Sequence, residues 1–155
     1  MTLNKMTGLG LSALALALAA GTVQAQQQGV SKTEILIGSI QDLSGPIAAF
    51  GKQTRNGMQL RVDEINEQGG INGRKLKLLV EDNGYDPKKA VLAAQKLVNQ
   101  DKVFIVAGHM GTAQNNAAMP IQFEKNVINF LPVTAAREMY EPFHKLKFSF
   151  AATYF

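Results

Sequence analysis

Apolar and polar residues alternate with two different periods along the chain, and these periods predict strands and helices in turn. Short apolar runs, typical of strands buried on both faces of a sheet, lie at Ile35 to Ile40, Leu76 to Glu81, Val103 to Ala107, Val127 to Phe130 and Lys147 to Phe150. Helical spacing is found over Gln53 to Gln68, from Asp86-Pro87 to about Asn99, and over Thr112 to Lys125. This alternation predicts the α/β class, with a parallel sheet flanked by helices.

Local signals support these helices and their ends. In the first helix Met58, Val62 and Ile65 recur at i, i+4 and i+7, which indicates one buried face. Asp86-Pro87 combines an N-cap acceptor with proline at the first helical position. Pro120 lies inside the third predicted helix, and we expect it to kink or shorten that helix.

Three loops follow predicted strands, and parallel sheets bind ligands at the carboxyl ends of their strands. They are Asp42 to Gly51, Gly108 to Gln114 and Pro132 to Arg137. In the second loop, Gly111, Thr112 and the start of the helix suit a carboxylate, because helix N-termini present unpaired N–H groups. A plain turn with Thr112 as the N-cap explains the same residues equally well.

Aromatic residues in and near these loops have two possible roles. Phe50 could wall a ligand pocket, and the alternative is an anchor that packs on Ile47. We expect Tyr85, Tyr140 and Phe143 to be packing residues.

The first residues have the pattern of a secretory signal peptide, Met1 to Ala25. Lys5 supplies the positive charge, Gly8 to Ala20 is a short apolar run, and Val23-Gln24-Ala25 offers small residues for cleavage. The run is shorter than the roughly 20 residues that a bilayer requires. We therefore expect an exported protein, located in the periplasm, whose mature part begins near Gln26.

Composition narrows the possible functions. The 155 residues are 46% hydrophobic and 18% charged, which is typical of a globular domain. Removal of the signal peptide lowers the net charge of +4 by one unit, which is too little to indicate nucleic acid. The sequence has no cysteine, which excludes thiol catalysis and a lipid-anchoring cysteine. His109 and His144 lack the spacing of metal ligands, and no nucleophile motif is present, so we predict no enzyme, metal or cofactor.

The last residues, Phe148 to Phe155, are apolar and aromatic. Complete domains usually end in exposed polar segments. We therefore expect the chain to be part of a larger protein.

Three segments of the chain are distinctive, namely LSGPIAAFG at Leu43 to Gly51, DEINEQGGINGRKL at Asp63 to Leu76, and DNGYDPKKA at Asp82 to Ala90. They resemble the branched-chain amino-acid-binding proteins of ABC importers. Gly108-His109 and the helix containing Pro120 extend the resemblance over essentially the whole mature chain. It implies a type I periplasmic-binding-protein fold, with residues 26–155 as the incomplete first of two lobes that close on a ligand.

The resemblance also implies a ligand site. Phe50 occupies the place of the aromatic residue that packs over the ligand, Gly111 and Thr112 that of the carboxylate-binding amides and hydroxyl, and Val133 that of a backbone carbonyl. The position of a further threonine holds Ala135, with Thr134 one place earlier. Tyr154 stands where amino-acid binders tend to carry an acid. With these departures, an amide, a carboxylic acid or an aromatic acid is as plausible a ligand as an amino acid.

The function implied is that of the solute-binding component of an ABC importer, whose partners are a small molecule and a permease in the inner membrane. A periplasmic domain that senses a ligand and reports to a signalling partner is the alternative.

Overall fold

We describe residues 27–154 of the protein from a computed structural model; the predicted signal peptide, Met1 to Ala25, lies outside the described residues. The described part forms one sheet of parallel strands with helices on both faces. Its strands are β1 (Glu34–Gln41), β2 (Lys75–Asp82), β3 (Ile105–Ala107), β4 (Ile128–Phe130) and β5 (Lys147–Phe148), in the order β2-β1-β3-β4-β5. The predicted fold class is confirmed.

The helices are α1 (Ala48–Glu67), α2 (Pro87–Gln95) and α3 (Thr112–Glu124), with a π-helical turn at Lys96–Gln100 and a 3₁₀ turn at Arg137–Met139. Side chains of successive strand residues point to opposite faces. The face bearing Ile40 and Val106 packs against α2 and α3 in a core that includes Ala94, Leu97 and Ala118.

The opposite face of the sheet packs against α1. There Met58, Val62 and Ile65, the predicted buried stripe, meet strand residues such as Ile37 and Leu78. A parallel sheet is normally covered on both faces, but here an open apolar groove of about 510 Å³ remains between α1 and the strands β3 and β4.

The order of the strands fixes where the loops meet. β1 pairs with β2 on one side and with β3 on the other, and the connections that leave β1 through α1 and β3 through α3 lie on opposite faces of the sheet. Two adjacent strands whose connections leave to opposite faces form a topological switch point, and a crevice opens at their carboxyl ends.

The helices differ from the predictions in three details. α1 begins at Ala48 instead of Gln53, so Phe50 and Gly51 belong to its first turn and not to a loop. α3 continues through Pro120 to Glu124, so the proline does not shorten it. Proline has no N–H, so the carbonyl of Asn116, one turn earlier, loses its usual helical hydrogen bond. Pro120 and Asn116 are both exposed, so water can replace this bond. α2 changes to π-helical geometry at Lys96, and the helical segment ends at Gln100.

Within residues 27–154, no helix combines the length and the apolar character that crossing a membrane would demand.

Candidate functional site

The loops that follow β1, β2, β3 and β4 meet around one groove of about 230 Å³ at the carboxyl edge of the sheet. The residues that line it are Ile47, Phe50, Tyr85, Met110, Gly111, Thr112, Val133, Thr134 and Tyr154. The structure thus brings together six of the seven residues that the sequence singled out. Ala135 is the exception, and it lines an adjoining hollow of about 470 Å³ with Arg137 and Glu138.

The turn after β1 is held by a buried carboxylate. Asp42 is fully buried, its Oδ1 accepts a hydrogen bond from the Gly45 N–H at 2.5 Å, and its Oδ2 accepts one from the Ile47 N–H at 2.8 Å. These bonds satisfy backbone groups that would otherwise be unpaired, so α1 can start at Ala48 directly after the turn.

Gly51 lets the first turn of α1 approach the end of β1. A Cβ atom at this position would lie 1.8 Å from the Asp42 carbonyl oxygen, closer than any real contact. The close approach carries Phe50 to the rim of the groove, where its side chain is 66% exposed. Of the two roles considered for Phe50, the wall of a pocket agrees with this position.

The loop after β2 contributes Tyr85, which the sequence analysis treated as a packing residue. That interpretation is wrong, because Tyr85 is 38% exposed and lines the groove. Its backbone has a φ of 61° and is fixed from two sides. The Tyr85 N–H donates to Asn83 Oδ1 at 2.8 Å, and the Tyr85 carbonyl accepts from Gln114 Nε2 at 2.5 Å.

The same interpretation also fails for Phe143, which is 90% exposed, and Tyr140 is partly exposed as well. Neither of them lines the groove.

Asp82, at the end of β2, stabilises the same corner. Burial alone would raise its pKa, but hydrogen bonds from Ser44, Leu43 and Gly84, with the nearby charge of Lys89, together hold the pKa of this carboxyl below its usual value of 3.8. The carboxylate form thus links the β2 loop to the β1 loop through the Leu43 N–H, at 2.8 Å.

The loop after β3 presents the first turn of α3 to the groove. Gly111 is the N-cap, with φ of 93° and ψ of 140°, and Thr112 is the first helical residue. The alternative in which Thr112 caps the helix is therefore wrong, and no side chain caps α3. The first N–H groups of a helix have no partner within it, so they are available to an anion in the groove.

Buried amides hold this loop in place. Asn115 donates through Nδ2 to the carbonyls of His109 and Gly111 at 2.8 and 2.7 Å, and its Oδ1 accepts from Asn129 Nδ2 at 3.2 Å. The Gly111 N–H makes a long 3.4 Å bond to the Val133 carbonyl, which joins the β3 and β4 loops.

His109 is fully buried, and within the described part of the chain its ring nitrogens have no hydrogen-bond partner. Burial lowers the pKa of His109 to about 3.

Three hydroxyl groups form a chain along the groove. Thr112 Oγ1 lies 2.6 Å from Thr134 Oγ1, which lies 3.3 Å from the hydroxyl of Tyr154. Hydrogen bonds from Thr134 and the Ala135 backbone lower the pKa of Tyr154. Thr134 lines the groove and supplies a hydroxyl there, whereas Ala135 lines the adjoining hollow.

Comparison with known proteins identifies the family. The family model described as "Periplasmic binding protein" matches residues 34–154, and the chain belongs to this family. The Leu/Ile/Val-binding protein BraC3 of Rhizobium johnstonii is 35% identical over 142 residues, which cover 90% of this chain and 35% of that protein. The chain spans about a third of the length of the curated relatives it matches.

Solved structures give the same assignment. One is LivJ, the substrate-binding protein of the branched-chain amino acid transporter from Streptococcus pneumoniae, in complex with isoleucine. It is 31% identical to this chain, with a TM-score of 0.65 over 69% of this chain and 31% of that chain. The substrate-binding protein of a fatty acid ABC transporter from Thermomonospora curvata is 31% identical, with a TM-score of 0.65 over 70% of this chain and 27% of that chain.

Proposed function

We propose that residues 26–155 form the first lobe of an exported solute-binding protein that delivers a small carboxylate-bearing ligand to the permease of an ABC importer in the inner membrane. The protein works in the periplasm by binding and release, without a catalytic step. In this proposal Met1 to Ala25 is the export signal, and a second lobe closes over the groove by a hinge motion.

The first turn of α3 carries the proposal. Thr112, its first residue, lines the same groove as Phe50 and Tyr85, and the first N–H groups of a helix have no partner within it. An anionic group at the helix start would gain charge-assisted hydrogen bonds, while an apolar body would lie against the rings.

The relatives support a carboxylate as the common feature of the ligand. One neighbour is a branched-chain amino acid transporter protein bound to isoleucine, and another serves a fatty acid transporter. Both of these ligand types combine a carboxylate with an apolar body, which is the chemistry that the groove offers.

Isothermal titration calorimetry tests the proposal on the full-length gene product, with a panel of branched-chain amino acids, aromatic amino acids and short carboxylic acids. The variant Thr112→Ala should weaken binding of the preferred ligand by about tenfold or more, because a hydrogen bond to a charged group contributes roughly 1.5–3 kcal/mol.

Thr33→Ala is the matched control, since Thr33 is exposed before β1, at the opposite edge of the sheet from the groove. It should bind like the wild type. An unchanged affinity in Thr112→Ala would remove Thr112 from the site, and a folded wild-type protein that binds nothing in the panel would contradict the proposed function.

A further inference from the structure

Thr134 is the central member of the three hydroxyls along the groove. Its side chain is buried, while Thr112 is half-buried and Tyr154 is exposed. Thr134 Oγ1 lies 2.6 Å from Thr112 Oγ1 and 3.3 Å from the hydroxyl of Tyr154. It also accepts a hydrogen bond from the Ala136 N–H at 3.3 Å. Three polar groups therefore share one buried oxygen.

The number of protons and lone pairs limits how this oxygen can pair. A threonine hydroxyl has one proton to donate and two lone pairs that accept. The Ala136 N–H takes one lone pair of Thr134, so one lone pair and the proton remain for Thr112 and Tyr154. Thr134 therefore donates to one of these two neighbours and accepts from the other.

An anion in the groove selects one direction of donation. Thr112 is the first residue of α3, where the helix dipole favours a negative charge. An ionised carboxylate only accepts hydrogen bonds, so the Thr112 proton must point to it. Thr112 then accepts from Thr134, and Thr134 accepts from Tyr154. Hydrogen bonds that run in one direction along a chain strengthen one another, by about 10–30% per bond.

The backbone holds the two threonines at this distance. Each of them directly follows a residue that joins the loops after β3 and β4. The Gly111 N–H donates to the Val133 carbonyl at 3.4 Å, and the Val133 N–H donates to the His109 carbonyl at 2.9 Å. The contact between Thr112 and Thr134 therefore forms within the described lobe and requires no group from a second lobe.

We propose that Thr134 is a positioning residue: it donates to Thr112 and thereby turns the Thr112 proton toward the ligand, so that the site favours a carboxylate over the neutral amide of the same shape. The inference rests on the proposed function of the same groove. Hydrogen bonds to an ionised group are roughly twice as strong as neutral ones, so a carboxylate gains more than an amide from a Thr112 proton that is already oriented.

Calorimetry on the full-length gene product tests this role with leucine, phenylalanine and isocaproate, each paired with its primary amide. The wild type should bind at least one of the three acids, and more tightly than its amide. Thr134→Val keeps the shape of the side chain but removes the hydroxyl. It should weaken binding of that acid by about threefold or more and binding of its amide by less than about twofold.

Two further variants serve as controls. Thr134→Ser keeps the hydroxyl and should retain the affinity for the acid. Thr33→Val makes the same exchange at an exposed position before β1 and should change neither affinity. Circular dichroism verifies that each variant is folded. If Thr134→Val does not fold, Tyr154→Phe removes the donor at the far end of the chain and should again weaken the acid more than the amide.

A double-mutant cycle separates positioning from support of the loop. Because Thr134 acts through Thr112, adding Thr134→Val to a Thr112→Val variant should change the affinity for the acid by less than about twofold. A residue that only supports the loop after β4 would weaken binding by the same factor in both backgrounds.

The two proposals fail in different ways. The positioning role is wrong, while the binding function stands, if the loss of the Thr134 hydroxyl, or of the Tyr154 hydroxyl in its place, affects acid and amide equally or not at all. An equal effect in the Thr112→Val background also refutes it. So does a wild type that binds the amide as tightly as the acid, or one that binds none of the three acids but another solute. A folded wild type that binds no solute at all overturns both.

Discussion

Replacing Gly111 by alanine should damage the groove and the fold together. Its φ of 93° and ψ of 140° lie close to a region that only glycine occupies readily, and forcing another residue into such a conformation costs roughly 1–3 kcal/mol. An added Cβ would also lie 2.1 Å from Gln114 Oε1 and 3.0 Å from Tyr85 Cε2. Gln114 must then move, which breaks its hydrogen bond to the Tyr85 carbonyl at a cost of about 1 kcal/mol.

The sum is a loss of about 2–4 kcal/mol in the free energy of unfolding. Urea titration followed by circular dichroism measures this loss in the full-length gene product. Gly57→Ala is the matched control: Gly57 is exposed inside α1, and a Cβ there would meet nothing within 4 Å. It should stabilise the protein by about 0.5–1 kcal/mol, because alanine is the better helix former. A Gly111→Ala variant as stable as the wild type would refute the reasoning.

Two further predictions concern the buried groups behind the groove. Burial lowers the pKa of His109 from 6.5 to about 3, so the unfolded state binds more protons between these values, and stability should fall as the pH drops from about 6.5 toward 3. His109→Met should flatten that fall in urea titrations at stepped pH; an unchanged slope would contradict the assignment. Asn115→Ala should cost roughly 2–3 kcal/mol, because it removes the hydrogen bonds to the His109 and Gly111 carbonyls and leaves the buried Asn129 Nδ2 without its acceptor, whereas Asn116→Ala, at the exposed neighbouring position, should change urea stability by less than about 0.5 kcal/mol. Equal losses in the two variants would exclude the support that we assign to Asn115.

The periodic parts of the fold could be predicted because their signals are local. Alternating apolar runs indicated the strands of a parallel sheet, and Asp86-Pro87 marked the start of α2, where the Asp86 side chain accepts hydrogen bonds from the N–H groups of Lys88 and Lys89. The placement of the loops at one edge then follows from the topology of any parallel sheet.

The start of α1 was misplaced for a different reason. The buried Asp42 satisfies the turn that precedes the helix, and Gly51 permits the close packing that follows. Both effects depend on contacts between separate parts of the backbone, and spacing along the chain does not reveal them.

The missed role of Tyr85 has a similar origin. β2 lies beside β1, so the loop after β2 reaches the groove, but the direction of the Tyr85 side chain depends on a positive φ and on hydrogen bonds with Asn83 and Gln114. Which of Thr134 and Ala135 lines the groove likewise depends on the path of the loop after β4, which a single sequence does not determine.

A crystal structure of the full-length gene product with its bound ligand tests the central claim most directly. We predict that the ligand carboxylate lies within hydrogen-bonding distance of Thr112 Oγ1 and of the first backbone amides of α3, with the ligand body against Phe50 and Tyr85. A ligand bound in the apolar groove beside α1, or on any other surface, would contradict the account.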